Sequence, residues 1–195
     1  MISARAAALV FITSALVGCG SPPPPPGPGM ARGAIPDLRS YTVMVLPVQI
    51  RTGVPDRATV DLELAHALRT RGENVSWVFP PQMEEILQRS PSIPARIHGL
   101  PVQMFLQAEV NRLGDPLFGT LVRLGGLTGA EVALLPVELR WREEGSYTLS
   151  AALVDVRSGR VAWYGVVEGL PGEMDDPGAV ASATEALSRV LLPLG

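Results

Sequence analysis

From residue 41 onward, the spacing of apolar positions divides the chain into short, well-punctuated segments. The stretch YTVMVLPVQI, residues 41–50, is β-branched and apolar enough for a strand buried on both faces, and Pro47 marks where its regular pairing stops. VPDRATVDLELAHALRTRG then changes to helical spacing. Asp56 is placed to N-cap, Val60, Leu64 and Leu68 recur with Ala65 and Ala67 beside them, and Gly72 supplies the stop. Arg69 and Arg71 complement the carbonyl end of that helix. NVSWVF, residues 74–79, predicts a second strand, and PPQMEEILQRS a second helix that tolerates proline in its first turn and turns Met83, Ile86 and Leu87 inward.

Residues 90–101 contain three prolines and predict a loop. Residues 102–113 predict a helix with Val102, Phe105, Leu106, Val110 and Leu113 on one stripe, and Asp115-Pro116 opens another helix to about Leu124. The last third alternates with period two. In GAEVALLPVELRW the residues Ala133, Leu135, Val137, Leu139 and Trp141 occupy one register, as a half-buried strand requires. SYTLSAALVDV and RVAWYGVVEG flank the turn Arg157-Ser158-Gly159-Arg160, with glycine where positive φ is needed, and Asp176-Pro177 starts a final helix to about Leu192. Trp141 and Trp163 fall on apolar registers and read as core. Tyr164 falls on the opposite register with Arg160 and Ala162 and reads as surface. The order β-α-β-α-α-α-β-β-β-α predicts an α/β (α+β) domain, a mixed sheet of about five strands with helices packed on it.

The first forty residues obey a different rule. One positive charge, Arg5, precedes the almost wholly apolar run from Ala6 to Leu16, which has secretory-leader length and is too short to span a bilayer as a helix. Leu16-Val17-Gly18-Cys19 closes the run and resembles the bacterial lipobox. That resemblance implies cleavage between Gly18 and Cys19 and acylation of the Cys19 thiol and of the new amino terminus. Several acyl chains, at ~0.8 kcal/mol per buried CH₂, anchor a protein stably where one chain binds only marginally. Residues 21–33 are proline, glycine and small residues with nothing to form a core, and Pro22 to Pro26 favour an extended polyproline II spacer. The organisation expected is therefore a cleaved leader over residues 1–18, a lipidated cysteine and stalk over 19–40, and one domain over 41–195.

Composition narrows the functions open to such a domain. The chain has 195 residues and a net charge of −3, which becomes −4 when Arg5 leaves with the leader, so nucleic acid is not an expected partner. Cys19 is the only cysteine, so no intramolecular disulfide is expected even in an oxidising compartment. All 16 basic residues are arginine, which excludes a P-loop lysine, Schiff-base chemistry and a Ser-Lys dyad. His66 and His98 are isolated, with no H-x-x-H or cysteine cluster to make a metal site. Of the acidic pairs, Glu84-Glu85 diverge on a helix, Glu143-Glu144 reads as a solvated hairpin tip, and Asp176 reads as a helix cap. No catalytic, cofactor-binding or metal-binding residue is assigned, and the only site residues expected are Gly18 and Cys19.

Three further stretches carry a family resemblance over residues 41–192. VMVLPV, LELAHALRTRGENVSWVFPPQMEEIL, and LGGLTGAEVALLPVEL with LSAALVDVRSGRVAWYG resemble the shared α/β core of a group of periplasmic lipoprotein domains. The group includes the N-terminal domain of the Tol-system propeller protein, the curli-secretion channel, and lipoprotein activators of penicillin-binding proteins. Pro80-Pro81 stands where such domains often carry an acid-Arg pair, so contacts made by that pair do not carry over. The resemblance implies a non-enzymatic protein-interaction module in cell-envelope assembly or maintenance, held by acyl chains and contacting other envelope proteins. Gly20-Ser21 lacks the aspartate that retains lipoproteins in the inner membrane under enteric-type sorting, which implies the periplasmic face of the outer membrane. Two other readings stay open: an oligomeric component of an outer-membrane secretion complex resembling the curli channel, and a periplasmic hydrolase whose site carries no recognisable motif.

Overall fold

A computed structural model describes residues 27–53 and 56–193. Its elements, in chain order, are β1 (Ala31–Gly33), a 3-10 turn (Leu38–Ser40), β2 (Thr42–Val45), β3 (Ile50–Thr52), α1 (Arg57–Arg71), β4 (Ser76–Val78), α2 (Pro80–Arg89), α3 (Met104–Gln107), α4 (Leu117–Thr128), β5 (Val132–Trp141), β6 (Tyr147–Asp155), β7 (Val161–Glu168) and α5 (Pro177–Leu191). The mixed sheet has seven strands in the order β1-β7-β6-β5-β2-β4, with β3 also pairing β5. β2 runs parallel to β4 and β5, whereas β5, β6, β7 and β1 are antiparallel in turn.

The sheet is wider than the five strands expected because of two short pieces. Pro47 divides the apolar run 41–50, as its missing N–H demands, and the chain rejoins β5 as β3 after the irregular stretch 46–49. The other piece lies inside the expected stalk. Ala31–Gly33 pairs with Trp163–Gly165 of β7, so the ordered domain begins before residue 41. Gly33 sits at φ 77°, and a Cβ there would stand 2.2 Å from the Ala162 carbonyl oxygen, so this close approach requires glycine.

Helices cover both faces. α1 and α5 pack on one, over Val43, Val45, Leu134, Leu149, Leu153 and Trp163. The other face is covered by side chains from α2, α3 and α4, with Met83, Phe105, Leu117, Leu121 and Leu124 against Met44, Leu46, Ala133, Leu135 and Val154. β5 is consequently buried on both sides, not half-buried as its alternation suggested. A β-bulge between Pro136 and Glu138 also changes its sidedness. Ala133, Leu135 and Val137 join the second core, but Leu139 joins the first and Trp141 packs against it. One extra residue reverses the side that every later side chain faces.

Local signals behave as expected at α1 and α5: the Asp56 and Asp176 carboxylates accept N–H bonds from Thr59 and Gly178. Residues 102–113 depart from the helix expected. Only Met104–Gln107 is helical. Beyond it the backbone turns to the β6–β7 hairpin, where Leu113 N–H donates to Gly159 O and Val161 N–H to Asn111 O, so i−4 bonding ceases while Leu113 still reaches the core. α4 extends past Leu124 to Thr128 and ends at Gly129, φ 73°, whose N–H caps Gly125 O.

Candidate functional site

Gly18 and Cys19 lie outside the described residues, as does the run Pro22 to Pro26. The described chain starts at Gly27 and goes directly onto the sheet edge: Gly29 N–H donates to Val166 O at 2.9 Å, Val166 N–H to Met30 O at 2.9 Å, and Ala34 N–H to Ala162 O at 3.0 Å. Beside this junction a groove of about 480 Å³ is lined by Met30, Trp163, Val167, Ala186 and Val190.

Polar groups converge at two places. The first is on the second face of the antiparallel sheet, past the bulge. There Glu138 of β5 pairs across the ladder with Ser150 of β6, and Arg140 with Thr148. The Glu138 side chain is only 10% exposed, and its Oε1 accepts from Arg140 Nη2 at 2.9 Å. The Ser150 and Thr148 hydroxyls make only long 3.4 Å bonds, to the carbonyls of Glu138 and Arg140. Tyr164 of β7 completes the group. Its alternation placed it on the surface, yet it is buried, because β7 is covered on this face and its ring stacks on Phe105 at 5.6 Å. Its hydroxyl is buried without a partner of hydrogen-bond geometry, and burial pushes its pKa above the usual phenol value, opposed by the neighbouring Ser150 hydroxyl. These side chains and Leu106 enclose a pocket of about 80 Å³.

The second cluster joins α1, α2 and the proline-rich loop at the carboxyl end of β2. Arg57 Nη1 contacts His98 Nδ1 at 3.1 Å, and His98 Nε2 contacts Glu84 Oε1 at 3.1 Å. An arginine only donates, so Nδ1 accepts, and Nε2–H is the donor to Glu84. Asp61 accepts the Val48 N–H at 3.0 Å. Burial raises its carboxyl pKa above the ordinary range, opposed by the Val48 bond and by the charges of Arg57 and Arg51. Buried Gln49 donates to the carbonyls of Pro47 and Ile97 and accepts from Leu100 N–H. The result is a fastening: His98 and Gln49 hold the loop over the sheet end.

The remaining polar residues have ordinary places. His66 is exposed on α1. Glu85 pairs with Arg89, and Glu144 with Arg142 at the hairpin tip. Among the described residues, no group of three His, Cys, Asp or Glu side chains could hold a metal ion.

The fold and sites define a mixed α/β domain with helices on both sheet faces, a small polar pocket on the antiparallel side and a charged loop fastening on the parallel side. No protein-family model matches the chain, and no curated protein matches it either. Solved structures similar to it include the LpoB C-terminal domain from Salmonella enterica, at 15% identity and TM-score 0.48 over 68% of this chain and 83% of that one. The PelC dodecamer from Paraburkholderia phytofirmans is similar at 19% identity and TM-score 0.46, over 85% of this chain and 96% of that one. Lipoprotein GNA1162 from Neisseria meningitidis is similar at 15% identity and TM-score 0.39, over 65% and 80%.

Proposed function

We propose that the chain is a lipid-anchored periplasmic lipoprotein of the bacterial cell envelope. It acts as a non-enzymatic protein-interaction module from the periplasmic face of the outer membrane. One observation carries the reading: the sole cysteine follows directly on a leader-length apolar run ending Leu16-Val17-Gly18, and a proline-rich spacer separates it from the domain. No helix among the described residues is long and apolar enough to cross a membrane, and acyl chains on Cys19 would supply the attachment instead. The polar clusters support a binding rather than a catalytic role. The acid–histidine–arginine network fastens a loop, and the Glu138 carboxylate is already paired with Arg140.

The reading is tested by Cys19→Ala. The expected result is loss of metabolic labelling by a fatty acid and release of the protein from the membrane fraction. Equal labelling and retention in the variant would refute it. Crosslinking in cells, followed by identification of the captured envelope proteins, then finds the partner.

A further inference from the structure

We propose that the pocket formed by Glu138, Arg140, Thr148, Ser150, Tyr164 and Leu106 receives the hydroxyl-bearing edge of a neutral saccharide. The first ground is that the pocket is constructed by a local departure from regularity. The bulge after Pro136 aligns Glu138 and Arg140 with Ser150 and Thr148, so that two adjacent strands present a four-residue polar ladder within an otherwise apolar sheet face. Bulges of this kind re-aim side chains beside binding sites.

The second ground is Tyr164. Phenylalanine would fill the same space and stack on Phe105 equally well, without a buried hydroxyl that lacks a good partner. A group kept against the local interest of the fold marks a place where something other than folding is served. Tyr164 lines the pocket, and its hydroxyl is near enough to Ser150 and Glu138 for both to perturb its ionisation.

Charge and hydrogen-bonding capacity select the ligand class. Glu138 is neutralised by Arg140, and Arg142 is held by both oxygens of Glu144 at 3.1 Å. An ionic ligand would therefore have to break an existing pair, whichever its sign. The unused capacity is mixed: Oε2 of Glu138 accepts, the spare N–H groups of Arg140 donate, and the hydroxyls of Thr148, Ser150 and Tyr164 do both. Adjacent alcohols match this array because each donates and accepts. A single carboxamide would serve Glu138 and Tyr164 and leave Thr148 and Ser150 with only their long bonds. The volume of about 80 Å³ admits an edge and not a whole ring, so the body of the ligand stays outside.

The test uses the full-length protein in a detergent without a sugar headgroup. Maltotriose and triacetylchitotriose are the probes, and saturation-transfer NMR is the readout. Transfer to the ring protons of at least one trisaccharide is expected. Glu138→Gln and Tyr164→Phe should each weaken it about tenfold or more, because each leaves a ligand hydroxyl unpaired. Tyr164→Phe should melt at or above the wild-type temperature, which separates lost binding from lost folding. Should Glu138→Gln fail to fold with Arg140 unpaired, Thr148→Val and Ser150→Ala carry the same expectation. Absence of transfer to both trisaccharides from folded wild type would overturn the assignment. So would undiminished transfer in Tyr164→Phe, or tighter binding of acetate, methylguanidinium or propionamide at the same residues.

Discussion

Replacing Gly159 by alanine should cost the domain several times what an ordinary surface substitution costs. Gly159 closes the β6–β7 turn at φ 71°, where any Cβ meets its own backbone, for a penalty of about 1 kcal/mol. The surroundings add a second penalty. The new Cβ would lie 2.8 Å from Cδ2 and 3.0 Å from Cε2 of Phe118, and 3.4 Å from the Leu113 carbonyl oxygen. The ring belongs to α4 and packs against the second core, so its retreat is overpacking, worth ~1–3 kcal/mol. Together the two terms come to about 2–4 kcal/mol. At roughly 2–4 °C per kcal/mol for a domain of this size, the lower bound alone lowers Tm by about 4–8 °C. Urea denaturation of Gly159→Ala, Phe118→Ala and the double variant measures both parts, because the steric portion should shrink once the ring is gone. Arg157→Ala is the control within the turn. Its side chain is 83% exposed and 3.6 Å from Glu131, so the change should stay within about 0.5 kcal/mol. Ser158 is unsuitable as that control, because its hydroxyl bonds Asp155 Oδ1 at 2.7 Å and accepts from Arg160 N–H. A Gly159→Ala loss no larger than that of Arg157→Ala would refute the geometry of the turn, and equal losses with and without Phe118 would refute the steric part.

Removal of residues 1–26 should leave the melting temperature of the domain unchanged. Removal of 1–33 should lower it, because β1 and its bonds to Val166 and Ala162 go with it; equal melting of the two truncations would show that β1 contributes nothing. Tyr147→Phe should destabilise by about 1–3 kcal/mol and speed amide exchange across residues 169–176, since the buried hydroxyl serves the carbonyls of Gly53 and Met174; wild-type exchange there would contradict this. Asp61 has a raised folded-state pKa, so its ionisation lowers stability as pH rises through the ordinary aspartate range toward that raised value. Asp61→Asn, which keeps an acceptor for Val48 N–H, should therefore be more stable than wild type at pH 7. The difference should vanish below the ordinary aspartate range in denaturant titrations; a variant less stable at pH 7 than at low pH, each relative to wild type, would reverse the sign.

Elements whose signals are local were legible in the sequence. Asp56, Asp176 and Gly159 each act through bonds or torsions within a few residues, and each does what its position predicts. Residues 102–113 misled because a helical stripe records only which side chains go inside. Leu113 is buried either way, while the backbone bonds that decide helix against extended chain come from a hairpin 46 residues further on. Tyr164 misled for a related reason: period two tells the faces of a strand apart but not whether the outer face has a cover, here supplied by Phe105. The pocket was partly legible. Folding the strands about the Glu143-Glu144 tip sets Arg140 beside Thr148 and Glu138 beside Ser150, which would have exposed the polar ladder. The unpartnered Tyr164 hydroxyl has no sequence signal, since it depends on the packing of a third strand and α3.

The place where the chain joins the sheet also decides how the domain would respond to tension. β1 is the first strand among the described residues, and it lies antiparallel along the edge of β7. Any load arriving from the amino-terminal side falls first on the few backbone bonds between Gly29 and Ala34 and their partners at Ala162 to Val166. A pull along the strand loads these bonds together in shear, whereas a pull away from the sheet opens them one after another like a zipper. Release of β1 would free about seven residues, roughly 20–25 Å of extended chain, while the two layers of core packing stay intact. The edge strand would thus serve as a mechanical fuse, yielding reach before the domain yields its fold.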